Sequence, residues 1–398
     1  MSDLLSLEEA QTRLLALAPQ MPLVSSDGSD PLVRYLAKDL EARRTQPPAD
    51  LSAMDGYAIS GGGPWQRVGE SRAGAPFAGS LEPGQCTRIS TGAHMPRGAD
   101  RVLIQENAEI SGDCVALAPG ESLPPAQRHV RKRGFDFTTG QTVLNQGAML
   151  GPAQRALAIA AGHDSVLHRR TPRVHILDSG DELSPVADAC GPDQIPASNG
   201  PMIGGLLRPY IGEAQRLGPV ADDMDALASA LARADGDILI TSGGASVGDH
   251  DLVQAALREW GADIDFWRVA IKPGKPLMVA TRKPDHGKQV ILGLPGNPVS
   301  SFVTAFLFAL PLVRATVGDP SPLPRSANHI ASEALPATGK RREFLRAVTD
   351  GVQVRLTASQ DSSALMALAQ ANCLIDRPPF SDPVSAGETV PVYNLQSG

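Results

Sequence analysis

Cysteine is scarce in this chain of 398 residues, which contains only four. Cys86, Cys114, Cys190 and Cys373 lie far apart and form no C-x-x-C pair. This spacing argues against a zinc site or a disulfide framework and favours reduced thiols. An excess of basic charge is also missing, since the formal net charge is −7. Because non-specific nucleic-acid binding requires a basic surface, we expect no nucleic-acid partner.

Long apolar runs and targeting signals are missing as well. The longest apolar run, residues 302–313, contains Thr304 and Pro311. It is shorter than the ~18 residues of a membrane helix and predicts a buried helix instead. The first residues, MSDLLSLEEA, are acidic and have no basic region of the kind that begins a signal peptide. These features predict a cytoplasmic protein with no membrane partner.

A glycine-rich loop is the first positive signal. Residues 238–251 read ILITSGGASVGDHD, an apolar run followed by glycines and then carboxylates. No lysine follows the glycines, as a P-loop requires, and the dinucleotide fingerprint G-x-G-x-x-G is absent. Glycines still allow a backbone to approach a ligand closely, and free N–H groups in such a turn bind anions. An ordinary strand-to-helix turn explains the same residues equally well, so both interpretations stay open here.

The patterns along the first half of the chain predict two kinds of structure. Ser6 starts a capping box, and apolar residues follow at helical spacing through Leu17. A second helix is predicted over residues 32–44. Short apolar runs between glycines, prolines and aspartates then predict a small all-β domain up to about Asp136. GPAQRALAIAAG at 151–162 predicts a returning helix, so the N-terminal domain would be discontinuous.

Strand-like and helix-like segments alternate between residues 172 and 316. Helices are predicted near residues 201–217, 224–233 and 251–260, and strands near 266–270, 277–280 and 290–294. This alternation predicts a parallel α/β sheet, in which ligands bind beyond the carboxyl ends of the strands. From residue 319 onward, alternating segments such as VQVRL predict a small β-barrel or sandwich.

Charged residues follow the strands of the predicted sheet. Asp181 and Glu182 follow one strand, and Asp249 and Asp251 end the glycine-rich loop. AIKPGKP at 270–276 adds two lysines, and GLPGNPVSS at 293–301 adds another glycine turn. Lysines and free N–H groups suit an anion, whereas carboxylates suit a hard cation such as Mg²⁺. Together they predict a magnesium-assisted phosphate ligand, although each carboxylate taken alone could be a solvated turn residue.

Seven segments in this order carry a resemblance to a known family. They are PPADLSAMDGYAI, STGAHMPRGADRVLIQE, VRKRGFDFTTGQTV, SGDEL, ILITSGGASVGDHD, IKPGKP and GLPGNPVSS. The ordered set closely resembles the molybdopterin molybdenumtransferase family, which includes MoeA and the gephyrin E domain. The resemblance spans essentially the whole chain.

The resemblance implies a multidomain fold of α/β and β domains. The implied division is a discontinuous N-terminal helical domain (1–49 and 137–170), a β-rich insertion (50–136), an α/β molybdopterin-binding domain (171–317) and a C-terminal β-barrel (318–398). It also implies a homodimer whose sites are shared between subunits. The implied reaction is Mg²⁺-dependent insertion of molybdenum from molybdate into adenylylated molybdopterin, with release of AMP. A molybdopterin adenylyltransferase and molybdoenzymes are the implied protein partners.

The resemblance also assigns roles to individual residues. The catalytic set would be Asp55, Thr91, Asp136, Glu182, Asp222, Asp251 and Lys272, and Mg²⁺ would be held by Glu182, Asp222 and Asp251. The pterin substrate would be bound by Ser242, Gly243, Gly244, Ser246, Gly248, Lys275, Pro295, Gly296, Asn297 and Pro298. Molybdate would be bound by Lys275, Pro276, Ser300, Arg341 and Ser362.

Some residues depart from the family pattern. Asp361 stands beside Ser362 where a small or neutral residue is expected, and a negative charge there would repel molybdate. Arg268 occupies a position often held by lysine, and a planar guanidinium is not equivalent to an ammonium group. A catalytically inactive pterin-binding or scaffolding homologue is the alternative, which the intact carboxylates and Lys275 argue against. Tungsten in place of molybdenum also stays open.

Overall fold

The structure is a computed structural model that describes residues 4–243, 252–284 and 287–395, apart from the side chain of Phe266. These residues form two compact units. The first unit combines Met1–Ala37 with Leu167–Gly398, and the second unit is Lys38–Val166. The four-part division implied by the family resemblance stays a prediction.

Helix α1 (Leu7–Leu15) begins as the capping box predicts. The Ser6 hydroxyl accepts a hydrogen bond from the Glu9 N–H at 3.1 Å. Leu7 and Leu14 are buried in the main core of the first unit. Strand β1 (Leu23–Ser26) follows the helix.

The second helix, predicted over residues 32–44, does not form. Within the first unit, the Val33 N–H donates to the Pro209 carbonyl and the Ala37 N–H donates to the Leu167 carbonyl. These backbone groups therefore bond to distant parts of the chain instead of to carbonyls four residues earlier, as a helix requires. Tertiary hydrogen bonds outweigh the helix propensity of this segment, because propensity is only a weak determinant of local structure.

The second unit is rich in β structure, which confirms the predicted β insertion. Its strands are β2 (Leu40–Glu41), β3 (Leu51–Ser52), β4 (Gly56–Ile59), β5 (Trp65–Ser71), β6 (Gln85–Ile89), β7 (Arg101–Ile104), β8 (Ala108–Ser111), β9 (Cys114–Leu117), β10 (Val130–Arg131) and β11 (Thr142–Leu144). Six of them form a sheet in the order β7-β4-β6-β5-β9-β8. Helix α2 (Pro152–Ala160) has proline in its first turn, as predicted from the sequence.

Gly56 lies where two strands approach closely, because β4 pairs with both β6 and β7. A Cβ atom at this position would lie 2.1 Å from the carbonyl oxygen of Leu103 on β7. We expect Gly56→Ala to lower the free energy of unfolding by about 1–3 kcal/mol, as overpacking does in other cores. Gly62→Ala is the control, since a Cβ there would meet no atom within 4 Å. Chemical denaturation compares the two, and equal stability would contradict the close contact.

The first unit contains a six-stranded sheet in the order β16-β13-β17-β21-β20-β18. The strands of this part of the chain are β12 (Val166–Arg169), β13 (Val174–Asp178), β14 (Leu183–Ser184), β15 (Ile195–Pro196), β16 (Gln215–Arg216), β17 (Ile238–Ser242), β18 (Asp263–Arg268), β19 (Ile271–Lys272), β20 (Pro276–Arg282) and β21 (Gln289–Leu294). The flanking helices are α3 (Asn199–Ile211), α4 (Met224–Ala232) and α5 (Leu252–Glu259).

This sheet is mixed, whereas the alternating pattern predicts a parallel one. Strands β16, β13, β17 and β21 are parallel, but β20 runs antiparallel to both β21 and β18. The segments joining β18 to β20 and β20 to β21 are short, and a parallel connection needs a crossover of about a dozen residues or more. Short connections therefore impose antiparallel pairing at this edge.

The apolar run near residue 302 belongs to a long core helix. It consists of α6 (Pro298–Thr304), a π-helical turn (Ala305–Ala309) and α7 (Leu310–Val317). This helix of 20 residues is long and apolar enough to cross a membrane, but 89% of its most apolar window is buried inside the protein. The helix packs against α1 and α3, as predicted for a buried helix.

The C-terminal segment forms the predicted β-barrel. Its strands are β22 (Ser326–Ala331), β23 (Arg342–Thr349), β24 (Gln353–Leu356), β25 (Cys373–Arg377) and β26 (Thr389–Asn394), with α8 (Leu365–Gln370) between β24 and β25. Strand β25 pairs with β23 as well as with β26, which closes the barrel. Strand β19 pairs with β23 and so joins the barrel to the segment that follows β18.

Candidate functional site

Three parallel strands end side by side at one edge of the mixed sheet. Asp178 ends β13 and is in register with Ser242 at the end of β17, which is in register with Leu294 at the end of β21. The turns after these strands therefore meet at the carboxyl edge, where ligands bind in open α/β sheets.

A pocket opens at this edge. Its lining includes five residues that the family resemblance assigns to the site: Glu182, Ser242, Gly243, Gly296 and Pro298. The lining also includes residues to which the sequence motifs assign no role: Asp178, Ser179, Leu183, Ile195, Pro196, Ala197, Ser198 and Asn199. Gly244, Ser246, Gly248 and Asp251 lie outside the described residues.

Asn199 joins the turns that surround the pocket. This residue begins α3, and its Nδ2 donates to the Ser242 hydroxyl at 2.8 Å and to the Gly296 carbonyl at 2.7 Å. The side chain thus connects the end of β17 to the turn after β21. In the sequence, Ser198 and Asn199 stand just before the helix predicted near residue 201, which gives no specific signal for this role.

Asp178 is a buried carboxylate on the pocket wall, with a side chain that is 2% exposed. Its Oδ2 accepts a hydrogen bond from Arg216 Nη2 at 3.2 Å. Burial raises the pKa of Asp178, while Arg216 and the Gly200 N–H favour the ionised form and oppose that shift. The sequence does not distinguish Asp178 from an ordinary strand end.

The predicted metal ligands come from two neighbouring turns. A Cβ atom at Gly180 would lie 2.5 Å from the Glu182 carboxylate, so Glu182 folds back over a glycine whose φ is +152°. The Asp222 N–H donates to Asp181 Oδ1 at 3.0 Å, which connects the turn after β16 to the turn after β13. Among the residues that the structure describes, no group of three or more His, Cys, Asp or Glu could hold a metal ion. The third predicted ligand, Asp251, lies outside them.

The segments that carry the predicted molybdate residues approach α6. Gly274 has a φ of +98°, and a Cβ atom there would lie 2.3 Å from the Thr304 hydroxyl, so the Lys-Pro-Gly-Lys turn packs closely on this helix. The Ser362 carbonyl accepts a hydrogen bond from the Val299 N–H at 3.3 Å. Lys275 and Pro276 therefore belong to the same region as Ser300 and Ser362.

The barrel supplies the remaining members of this region. The Arg342 N–H donates to the Ala270 carbonyl at 2.8 Å, which places Arg341 beside the segment that precedes the lysines. Lys272 Nζ lies 3.2 Å from Glu343 Oε1, so this predicted anion-binding lysine already has a carboxylate partner. Lys275 and Arg341 are thus the stronger candidates to bind an anion.

The position of Asp361 is explained by its local partners. Its Oδ1 accepts hydrogen bonds from the N–H and the hydroxyl of Ser363, which lower the pKa of Asp361. Its carbonyl accepts a hydrogen bond from the buried Arg346 at 3.0 Å. The carboxylate therefore stabilises the turn that contains Ser362 and is bonded within that turn.

In the second unit, Asp55 and Thr91 are in direct contact. Asp55 Oδ1 accepts hydrogen bonds from the Thr91 N–H at 2.7 Å and the Thr91 hydroxyl at 3.2 Å. Asp136 is exposed on another turn, where its N–H donates to the Gln46 carbonyl at 3.1 Å. The structure thus joins two of the three residues that the resemblance assigns to this part of the chain.

Comparisons with known proteins agree with this arrangement. Three family models match in order: the MoeA N-terminal region (domain I and II) over residues 5–162, a probable molybdopterin binding domain over 175–315, and the MoeA C-terminal region (domain IV) over 328–395. The molybdopterin molybdenumtransferase of Haemophilus influenzae is 32% identical over 406 aligned residues, with 98% of each chain covered. The chain belongs to the molybdopterin molybdenumtransferase family.

Other members of this family are similarly close. The molybdopterin molybdenumtransferase of a Nostoc species is 33% identical, covering 91% of this chain and 86% of the relative. The crystal structure of a molybdopterin biosynthesis MoeA protein from Pyrococcus horikoshii superposes with a TM-score of 0.81 at 26% identity, covering 99% of each chain. Membership in the molybdopterin molybdenumtransferase family assigns the chain to molybdenum cofactor biosynthesis as a transferase. None of these comparisons favours an inactive or scaffolding homologue.

Proposed function

We propose that this chain inserts molybdenum from molybdate into adenylylated molybdopterin and releases AMP in a Mg²⁺-dependent step. The observation that supports the proposal is the pocket at the carboxyl ends of β13, β17 and β21. It lies within the segment matched by the molybdopterin-binding family model. Glu182 on its wall provides a carboxylate of the kind that Mg²⁺ prefers.

The carboxylates have the task of holding the metal beside the phosphoanhydride. Glu182, Asp222 and Asp251 would be its protein ligands, and their oxygens are chemically suited to a hard cation. When bound, Mg²⁺ stabilises the charge that develops on the phosphate oxygens during cleavage. Asn199 keeps the turn that contains Gly296 in place through its 2.7 Å hydrogen bond to that residue's carbonyl. Pro295, Asn297 and Pro298 belong to the same turn and would contact the substrate there.

The residues around α6 have the task of binding molybdate. Molybdate is a tetrahedral dianion, so it requires positive charge and hydrogen-bond donors. Lys275 and Arg341 supply the charge, and the hydroxyl groups of Ser300 and Ser362 supply donors. Pro276 restricts the backbone beside Lys275, because its ring fixes φ.

The direct test is a reconstituted reaction. Purified protein is incubated with adenylylated molybdopterin, Mg²⁺ and molybdate, and AMP release and molybdenum incorporation are followed together. We expect both products, and we expect removal of Mg²⁺ by a chelator to stop AMP release. Tight pterin binding without AMP release would favour the inactive homologue instead. Replacing molybdate by tungstate in the same assay determines which metal the site prefers.

We also propose that the chain acts as a cytoplasmic homodimer, with Asp55 of one subunit completing the site of the other. A mixture of Asp55→Ala and Asp251→Ala chains should then recover activity that neither variant has alone. If subunits exchange freely, half of the dimers are mixed and each has one intact site, so about a quarter of the wild-type rate is expected. Light scattering provides the independent measurement, and a monomer at micromolar concentration would refute the shared site.

The substrate and product suggest further partners. A molybdopterin adenylyltransferase would supply the adenylate, and a molybdoenzyme would receive the product. Neither contact involves nucleic acid, which agrees with the net charge of −7.

A further inference from the structure

Two buried acceptor oxygens on the pocket wall have no hydrogen-bond partner among the described residues. They are Oδ1 of Asp178 and Oδ1 of Asn199, and both residues line the same pocket. An acceptor that is shielded from water and unpaired destabilises the protein, so a ligand that donates hydrogen bonds there is favoured. The pocket wall therefore has unused capacity for N–H donors.

Asp178 is held rigidly with one oxygen already occupied. Arg216 donates to Oδ2 at 3.2 Å. Gly200 allows α3 to approach the carboxylate, because a Cβ atom there would lie 2.3 Å from Oδ2 and 3.1 Å from Arg216 Nε. The protein therefore uses Oδ2 and leaves Oδ1 for a ligand.

The amide of Asn199 is oriented by its partners. The Gly296 carbonyl can only accept a hydrogen bond, so the amide group 2.7 Å from it must be the NH₂. The second hydrogen of that NH₂ is directed at the Ser242 hydroxyl at 2.8 Å. Asn199 Oδ1 is therefore an acceptor of fixed orientation.

We propose that Asp178 and Asn199 select the 2-amino-4-oxo pyrimidine edge of the pterin by accepting its N–H groups. The inference rests on the proposed function, which supplies a pterin as substrate. This edge has two neighbouring donors, the 2-amino group and N3–H, which is one donor for each unpaired acceptor. Adenine is a poorer match, since its amino group lies next to the acceptor N1. Asp178 and Asn199 are thus specificity-determining residues for the pterin end of the substrate.

Lumazine provides a matched probe, because it differs from pterin by a 2-oxo group in place of the 2-amino group. That change puts an acceptor opposite one of the two protein acceptors, while the N3–H donor is retained. We expect the full-length wild-type protein to bind pterin about tenfold or more tightly than lumazine, which corresponds to about 1.4 kcal/mol. Titration calorimetry or quenching of pteridine fluorescence gives both dissociation constants.

Asp178→Asn replaces a hydrogen-bond acceptor on the pocket wall by a donor. Arg216 only donates, so the new amide directs its oxygen to Arg216 and its NH₂ to the pocket. We expect the preference for pterin over lumazine to fall to about one or to invert, while AMP binding stays within about twofold. An unchanged preference in Asp178→Asn, or equal binding of the two probes by wild type, overturns the proposal. A change in AMP binding alone would assign the pocket to adenine and would also overturn it.

Gly200→Ala tests the same inference without removing a polar group. Its new Cβ atom displaces the Asp178 carboxylate, so the preference for pterin should weaken. Gly205→Ala is the matched control on α3, since a Cβ atom there meets nothing within 4 Å. If both alanine variants keep the wild-type preference for pterin over lumazine, Asp178 does not recognise the pterin. AMP release is measured separately, so a protein that discriminates the probes but releases no AMP refutes the proposed function and leaves this inference intact.

Discussion

Glu182→Gln is expected to slow AMP release by about a hundredfold, the usual effect of removing one electrostatic stabiliser from an active site. The substitution keeps the shape of the side chain and removes its charge. In the structure this carboxylate lies over Gly180 at the pocket wall, where a bulkier residue at position 180 would collide with it. If it is a ligand of Mg²⁺, the Mg²⁺ concentration that gives half of the maximal rate should rise as well.

Single-turnover measurement of AMP release, with the pterin adenylate saturating, tests both effects. Glu259→Gln is the matched control, because Glu259 is an exposed residue at the end of α5 and the chemical change is identical. The control should retain the wild-type rate and Mg²⁺ dependence. A Glu182→Gln enzyme that behaves like the control would remove Glu182 from the metal site.

Arg341→Ala is expected to raise the molybdate concentration needed for half-maximal insertion by about ten- to a hundredfold. This range follows from the loss of one charge-assisted hydrogen bond, worth roughly 1.5–3 kcal/mol. Binding of the pterin adenylate should stay nearly unchanged, because the predicted molybdate residues surround α6 while the adenylate is expected at the ends of β13 and β17. Titration of molybdate at saturating pterin adenylate measures the shift.

Lys340→Ala separates this specific role from general surface charge. Lys340 is exposed and immediately precedes Arg341, so its removal causes the same loss of positive charge one position away. In Lys340→Ala, we expect the molybdate concentration needed for half-maximal insertion to change by less than about threefold, because exposed charges contribute little. Equal shifts in the two variants would show that the barrel attracts molybdate only through its overall charge.

Local features of the fold could be predicted from the sequence, because neighbouring residues determine them. The Ser6 hydroxyl caps α1 through the N–H of Glu9, three positions along the chain. The proline at the start of α2 and the apolar spacing of α4 likewise act within one or two helical turns. The order of the motifs was sufficient to predict the family and the C-terminal β-barrel.

Long-range contacts were not predictable in the same way. Residues 32–44 have a helical pattern, yet Val33 and Ala37 bond to the carbonyls of Pro209 and Leu167. The pattern of apolar residues also does not reveal strand direction, and the antiparallel β20 follows from two short connections. In the first case distant backbone partners outweighed the local signal, and in the second case the lengths of the connections decided the strand direction.

The sequence by itself determined which chemical groups the chain carries and the family to which it belongs. Only the tertiary structure decided which of those groups meet. Asp178 and Asn199 are 21 positions apart and look like a strand end and a helix start, but both line one pocket. Lys272 has the same charge as Lys275, but only the fold pairs it with Glu343. The physical reason is that burial, pairing and an unused acceptor are properties of an assembled environment, and residues far apart in the chain create that environment.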